Sequence, residues 1–150
     1  MIVKKNSCTF YGHRECPESI REELKNCLIR LIEDENVTDF YVGNQGAFDR
    51  IVYNVLKELK KTYGHISCTV MLAYMPGERE KRSPEDYRET LLPEEVERSP
   101  RRYAIDRRNR WMLRQADVVV TYIVHNWGGA AKFSELAKRQ KKQVIELHGR

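Results

Sequence analysis

The chain has 150 residues, 41% of them hydrophobic and 33% charged, with a formal net charge of +5. That balance describes a folded domain with a heavily charged surface and excludes a disordered chain; the length suits a single domain, residues 1–150, with a two- or three-layer core. No apolar run approaches the ~20 residues of a membrane span, and the first ten residues lack a signal-peptide core, so the expected setting is cytoplasmic with no membrane partner.

Residues 8–11 read as a short strand, ended by Gly12, His13 and Arg14. Pro17 suits a first helical position, and Ile20, Leu24, Cys27, Leu28, Leu31 and Ile32 follow at the spacing of one helical face. Residues 38–42 predict a second strand, closed by Gly43, Asn44, Gln45 and Gly46. Phe48, Ile51, Val52, Val55, Leu56, Leu59 and Tyr63 trace a second helical stripe that ends near Gly64. Residues 66–74 are nearly continuous in apolar character, as in a strand buried on both faces. From 75 to 102 the pattern gives way to charge punctuated by Pro76, Pro84, Pro93 and Pro100. A stretch of that length reads as an insertion or lid, in which Tyr87, Leu91 and Leu92 form one anchored turn. A helix over 103–115 leads to the most strongly patterned stretch, 118–135, and residues 143–147 make a last short strand.

Stretch 118–135 begins as an unbroken apolar, β-branched run, turns at Gly128 and Gly129, and continues with small residues at helical spacing. It predicts a buried strand delivering a glycine turn to a helix N-terminus, where free N–H groups and the helix dipole favour an anion. Glu135, seven residues after Gly128, is expected on the helix face nearest the turn. Strands alternating with helices of this length imply an α/β fold: a Rossmann-like three-layer sandwich around a five-stranded, mainly parallel sheet in the order 3-2-1-4-5. Ligands in such sheets bind at the carboxyl ends of the strands where the winding reverses, here between strands one and four. The loops carrying residues 12–14, 43–46 and 127–129 all reach that place.

The chemistry on these loops is that of anion and sugar recognition. Gly12 allows close backbone approach, His13 supplies an imidazole, and Arg14 can grip a phosphate or carboxylate through two N–H groups; capping or a surface role is the plainer reading of His13 and Arg14. Gly43 and Gly46 bracket Asn44 and Gln45, and Asp49 follows in the first turn of a helix. Gly46 would admit a ligand to that helix N-terminus and Asp49 would accept from ribose hydroxyls; alternatively Gly43 turns the chain and Asp49 complements the dipole. Neither a Walker A loop nor a full GxGxxG is present. Arg108 shares a helical face with Met112, so an inward Met112 would aim Arg108 at the sheet's end. His125 and Asn126 lie beside the glycine turn, and Trp111 and Trp127 offer stacking faces, with packing as their plainer role. Arg98, Arg101, Arg102, Arg107, Arg108, Arg110 and Arg114 form a basic cluster that suggests a phosphate-bearing partner or, more simply, a solvated face with local ion pairs. Cys8, Cys16, Cys27 and Cys68 show no zinc spacing, so no metal is expected; buried reduced thiols are favoured for Cys8, Cys27 and Cys68, and Cys16, just before Pro17, is the thiol expected to be exposed.

The order strand-GHR, strand-GNQGAFD, charged insertion, helix-RRNRWMLRQAD, strand-WGGAAKFSE resembles the SLOG superfamily, the Rossmann-like group named for the Smf/DprA and LOG proteins. The resemblance spans about 8–147 and looks closest to small bacterial members. In LOG enzymes, which hydrolyse the N-glycosidic bond of cytokinin riboside monophosphates, a PGGxGTxxE motif binds phosphate and carries a catalytic glutamate, assisted by an arginine of a preceding helix. Gly128, Gly129 and Glu135 match that motif and Arg108 the arginine, whereas Trp127 replaces the proline, Ala131 the third glycine, Lys132 the threonine and Asn109 the lysine after the arginine. Lys132 retains a charge for an anion.

Together these features imply binding of a nucleotide or nucleotide-derived small molecule, as a sensor or sequestering protein, through Gly12, His13, Arg14, Gly43, Asn44, Gln45, Gly46, Asp49, Asn126, Gly128, Gly129 and Lys132. The alternative is a LOG-like phosphoribohydrolase in which Glu135 stabilises the ribosyl cation and Arg108 holds phosphate or assists the leaving base. A third reading, single-stranded DNA binding, draws on the DprA kinship, but aromatics are not interleaved with the arginines. No cofactor is expected, and the resemblance implies a homodimer.

Overall fold

The computed structural model describes residues 6–75 and 89–149. Six strands form one parallel sheet: β1 (Asn6–Gly12), β2 (Val37–Val42), β3 (Ser67–Met71), β4 (Thr90–Leu91), β5 (Val118–Tyr122) and β6 (Gln143–Glu146). They lie in the order β4-β3-β2-β1-β5-β6. The predicted order 3-2-1-4-5 is present as β3-β2-β1-β5-β6, and the difference is β4, which pairs with β3 only through Val70 with Thr90 and Met71 with Leu91. A two-residue strand is too short to announce itself by alternation. The helices are α1 (Ile20–Asp34), α2 (Gly46–Thr62), α3 (Glu94–Glu97), α4 (Arg101–Gln115) and α5 (Gly129–Arg139).

The pleat of the strands explains the three layers, because successive side chains leave opposite faces of a sheet. On β1, Cys8 and Phe10 enter the core formed with α1 and α2, whereas Tyr11 enters the core formed with α4 and α5. On β5, Val118, Val120 and Tyr122 join the first core and Val119 the second. Helix α2 buries Phe48, Ile51, Val52, Val55, Leu56 and Leu59, the predicted stripe, with Tyr63 just past its end. Helix α1 buries Ile20, Leu24, Leu28, Leu31 and Ile32, each removal from water stabilising by about 1.5–3 kcal/mol. The second core sets Phe133 of α5 against Tyr11 with ring centroids 5.4 Å apart.

Several boundaries differ from the sequence reading. Pro17 is outside α1: residues 17–19 form a turn whose last link is the Ile20 N–H donating to the Pro17 carbonyl at 3.2 Å. Strand β3 is shorter than 66–74 and only partly covered, with Thr69 and Val70 half-buried; among the described residues, the two of β4 pair on its outer side. Helix α4 starts two residues before 103. Part of the 75–102 stretch is structured as β4 and α3, where Val96 packs with Ala73 and Ala104; the lid expectation and Tyr87 fall at 76–88, outside the described residues. Cys8, Cys16, Cys27 and Cys68 are free, and burial raises all four thiols, Cys68 to about 12 and Cys16 and Cys27 to about 11. They act as small hydrophobes rather than nucleophiles. No described helix is long and apolar enough to cross a membrane.

Candidate functional site

The carboxyl ends of β1, β2 and β5 meet at one crevice because β1 sits between the other two. The turn after β1 is packed hard against α2. A Cβ at Gly12 would lie 2.2 Å from the Phe48 ring, so the missing side chain lets the first aromatic of α2 close over the end of the strand. His13 follows, nearly buried, and its Nε2 accepts a hydrogen bond from the Val124 N–H at 3.0 Å. That bond requires an unprotonated Nε2; burial, then the neighbouring His125, lower the His13 pKa. Arg14 completes the turn, and its carbonyl accepts the Ala47 N–H at 2.8 Å.

That last bond decides what Gly46 is for. Gly46 has φ 91, and a Cβ there would sit 2.6 Å from the Arg14 Cα. The close approach expected of a ligand is made by the first loop instead, and one free N–H at the start of α2 is already taken. Gly43 is equally confined: its added Cβ would come 2.8 Å from an Asp49 carboxylate oxygen and 3.2 Å from the Arg108 guanidinium carbon. The two charged side chains therefore flank the strand end where only glycine fits.

Asp49 and Arg108 are the buried charges of the crevice, 8% and 3% exposed. Asp49 accepts the Gln45 N–H at 2.9 Å, so it does stabilise the start of α2 while facing the cavity. Burial pushes its carboxyl up to about 6, against the opposing pull of Arg108 and the Gln45 N–H. Arg108 donates from Nε and Nη2 to the Asn109 side-chain oxygen at 3.2 and 3.0 Å, and from Nη1 to that of Asn44 at 3.1 Å. Burial lowers its pKa, countered by Asp49, Tyr11 and Tyr74. An arginine held by neutral amides keeps its charge available to an anion.

The turn after β5 is built the opposite way. Gly128, with φ 92 and ψ 173, is the N-cap of α5, and nothing among the described residues lies within 4 Å of a Cβ built on it or on Gly129. The Lys132 N–H bonds to the Gly128 carbonyl at 3.1 Å, so the amides of Gly129, Ala130 and Ala131 precede the first hydrogen bond within the helix. Gly129 and Ala130 border the crevice. Just before them, the rings of His13 and His125 stack with centroids 3.6 Å apart, and those of His125 and Trp127 with centroids 3.7 Å apart.

The crevice has a volume of 560 Å³, and from the expected set Gly12, His13, Arg14, Gln45, Asp49, Arg108, Gly128 and Gly129 line it. A model of the YspA SLOG family matches residues 5–147. The chain belongs to that family. Comparison with curated proteins returns no match. In this YspA SLOG chain the three loops of the SLOG resemblance converge, but not every residue read from it does. Gly43, Asn44 and Gly46 stand behind the lining, Asn44 as the support of Arg108. Asn126, Lys132 and Glu135 border an adjoining depression with Arg110, Leu136 and Arg139, which meets the crevice at Gly128. Glu135 is 61% exposed there, 3.9 Å from Arg139, and Lys132 is tied to Asp106 at 2.7 Å. The physical reason is helical geometry: residues 128, 131 or 132, 135 and 139 share a face, as the spacing says, but that face looks away from the sheet and Glu135 lies two turns, about 10 Å, along it.

Some lining residues escaped the sequence reading. Ile105 and Asn109 belong to the 105, 108, 109, 112 face of α4, and that spacing would have revealed them. Tyr11, whose hydroxyl donates to the Asn109 carbonyl at 2.7 Å, could have been placed by its position one residue before Gly12. The other arginines behave as a solvated face: Arg98 pairs with Glu94, Arg110 with Asp106 and Arg114 with Glu95, and Arg101 lies over the Tyr74 ring.

Proposed function

We propose that this YspA SLOG protein binds a nucleotide or nucleotide-derived small molecule in the crevice, as a sensor or sequestering protein. The observation that carries the reading is the open double-glycine start of α5 facing the same cavity as the buried Arg108 guanidinium. Unbonded amides at a helix N-terminus and an arginine fork are both phosphate ligands, and Gln45 and Asp49 supply the acceptor and donor groups a ribose would use. A cavity of 560 Å³ is within the range of small-molecule sites.

Binding is preferred over LOG-like N-glycosidic hydrolysis because Glu135 and Arg108 do not share a cavity. The carboxyl groups that line the crevice beside Arg108 are Glu15 and Asp49, and Asp49 is already engaged with the Gln45 N–H. Calorimetry against nucleoside mono- and diphosphates and ADP-ribose tests the proposal. At least one should bind and raise the melting temperature, by the equivalent of about 2.7 kcal/mol at a hundredfold excess over Kd. A panel that neither binds nor stabilises contradicts it.

A further inference from the structure

Anion binding leaves the ring column before Gly128 without a role. Trp127 is 67% exposed, yet its indole is not loose. One face rests on His125 with centroids 3.7 Å apart and planes 16° from parallel, and the Trp127 carbonyl lies 3.1 Å from His125 Nδ1. His125 is backed in turn by His13, at 3.6 Å and 24°, which is held by the Val124 N–H and meets the Tyr122 ring edge-on at 6.4 Å. The column is thus anchored in the fold at His13 and ends, at Trp127, in an indole bordering the crevice.

The chain's other tryptophan shows what a packing role looks like. Trp111 is half-buried, meets Tyr41 edge-on at 5.4 Å and adjoins the second core. Trp127 has a parallel stack on one side and solvent over most of the rest. Apolar surface left in water is unfavourable, and a plane fixed in advance lowers the ordering cost of whatever covers it. The spacing already present in the column is that of stacked aromatic planes, and the residues that follow are the open Gly128 and Gly129. A planar group on Trp127 and an anion at the start of α5 can therefore belong to one ligand, joined by a sugar.

We propose that Trp127, backed by His125 and His13, is the stacking platform for the base of a nucleotide whose phosphate lies at the start of α5. This rests on the nucleotide reading above and narrows it: the ligand carries a planar aromatic base, and a sugar phosphate of equal charge binds more weakly.

The test is calorimetry of the wild type, Trp127→Ala and Trp127→Phe with AMP, GMP, CMP, UMP and ribose 5-phosphate, with thermal melts to confirm that the variants fold. At least one nucleotide should bind the wild type about fivefold or more tighter than ribose 5-phosphate does, which is the low end of base–aromatic stacking. Trp127→Ala should lose that margin, Trp127→Phe should keep most of it, and ribose 5-phosphate should bind all three alike. Equal binding of nucleotides and ribose 5-phosphate to the wild type, or a margin that survives in Trp127→Ala, overturns the platform and leaves the anion crevice standing. A surviving margin together with loss of self-association in Trp127→Ala overturns it in favour of a second copy of the chain as the occupant. Silence from every compound overturns both the platform and the reading it rests on.

Discussion

At Gly12, Gly43 and Gly46 an added methyl group would meet protein atoms at 2.2, 2.8 and 2.6 Å, whereas at Gly128 and Gly129 it would meet nothing within 4 Å among the described residues. The first three glycines let the β1 and β2 turns lock onto α2 and onto the Asp49 and Arg108 side chains. The last two leave a helix start uncovered. One half of the crevice is a close-packed wall and the other a rim that the described residues leave open, so a glycine in a strand-to-helix turn marks close approach without saying whether the visitor is protein or ligand.

Substitution at the wall should have the largest effects. Gly46→Ala combines a positive φ with a backbone clash against Arg14, and we expect a loss of about 3 kcal/mol or more in urea denaturation. A loss below about 1 kcal/mol would mean that the two loops are not interlocked. Next comes the buried Asp49. Its folded pKa of about 6 lies above the ordinary 3.8, so the proton binds the folded state more tightly. That contribution is full below about pH 3.8 and is lost as pH rises through about 6, at most by about 3 kcal/mol. Asp49→Asn should flatten this fall relative to wild type between pH 4 and 7; parallel pH profiles would contradict the burial of the charge.

Much of this was legible in the sequence, and the limit is physical. The β-branched run at 118–122 and the α2 stripe are local signals set by periods of two and 3.6 residues, so strands, helices and their order could be read directly. What the period cannot give is which way a helix face looks once packed, and this is where Glu135 went astray. Nor does any local pattern join His13 to His125 or Gly46 to Arg14, which are neighbours only after the sheet has formed.

At the rim the expected effects are smaller. Gly128→Ala meets no atoms of the described residues but keeps φ 92 and ψ 173, a region almost reserved for glycine, so a loss of about 1–3 kcal/mol from backbone strain is expected. His13 is the hinge between the halves. Its lowered pKa favours the neutral ring in the folded state, so its contribution is full above the ordinary 6.5 and is lost as pH falls through the lower folded value. Protonation also removes the acceptor of the Val124 N–H, and amide exchange at Val124 should quicken on acidification. Exchange that stays unchanged, after correction for the intrinsic pH dependence, would disconnect His13 from the third loop.

The most direct test is to place a carboxylate where the ligand's anion is proposed to lie. No atom of the described residues stands within 4 Å of a Cβ at Gly129, and negative charge in the first turn of a helix is tolerated or stabilising. Calorimetry of Gly129→Asp with a nucleotide that binds the wild type should show binding reduced at least tenfold at an unchanged melting temperature. Undiminished binding to the folded variant would contradict an anion site at the start of α5.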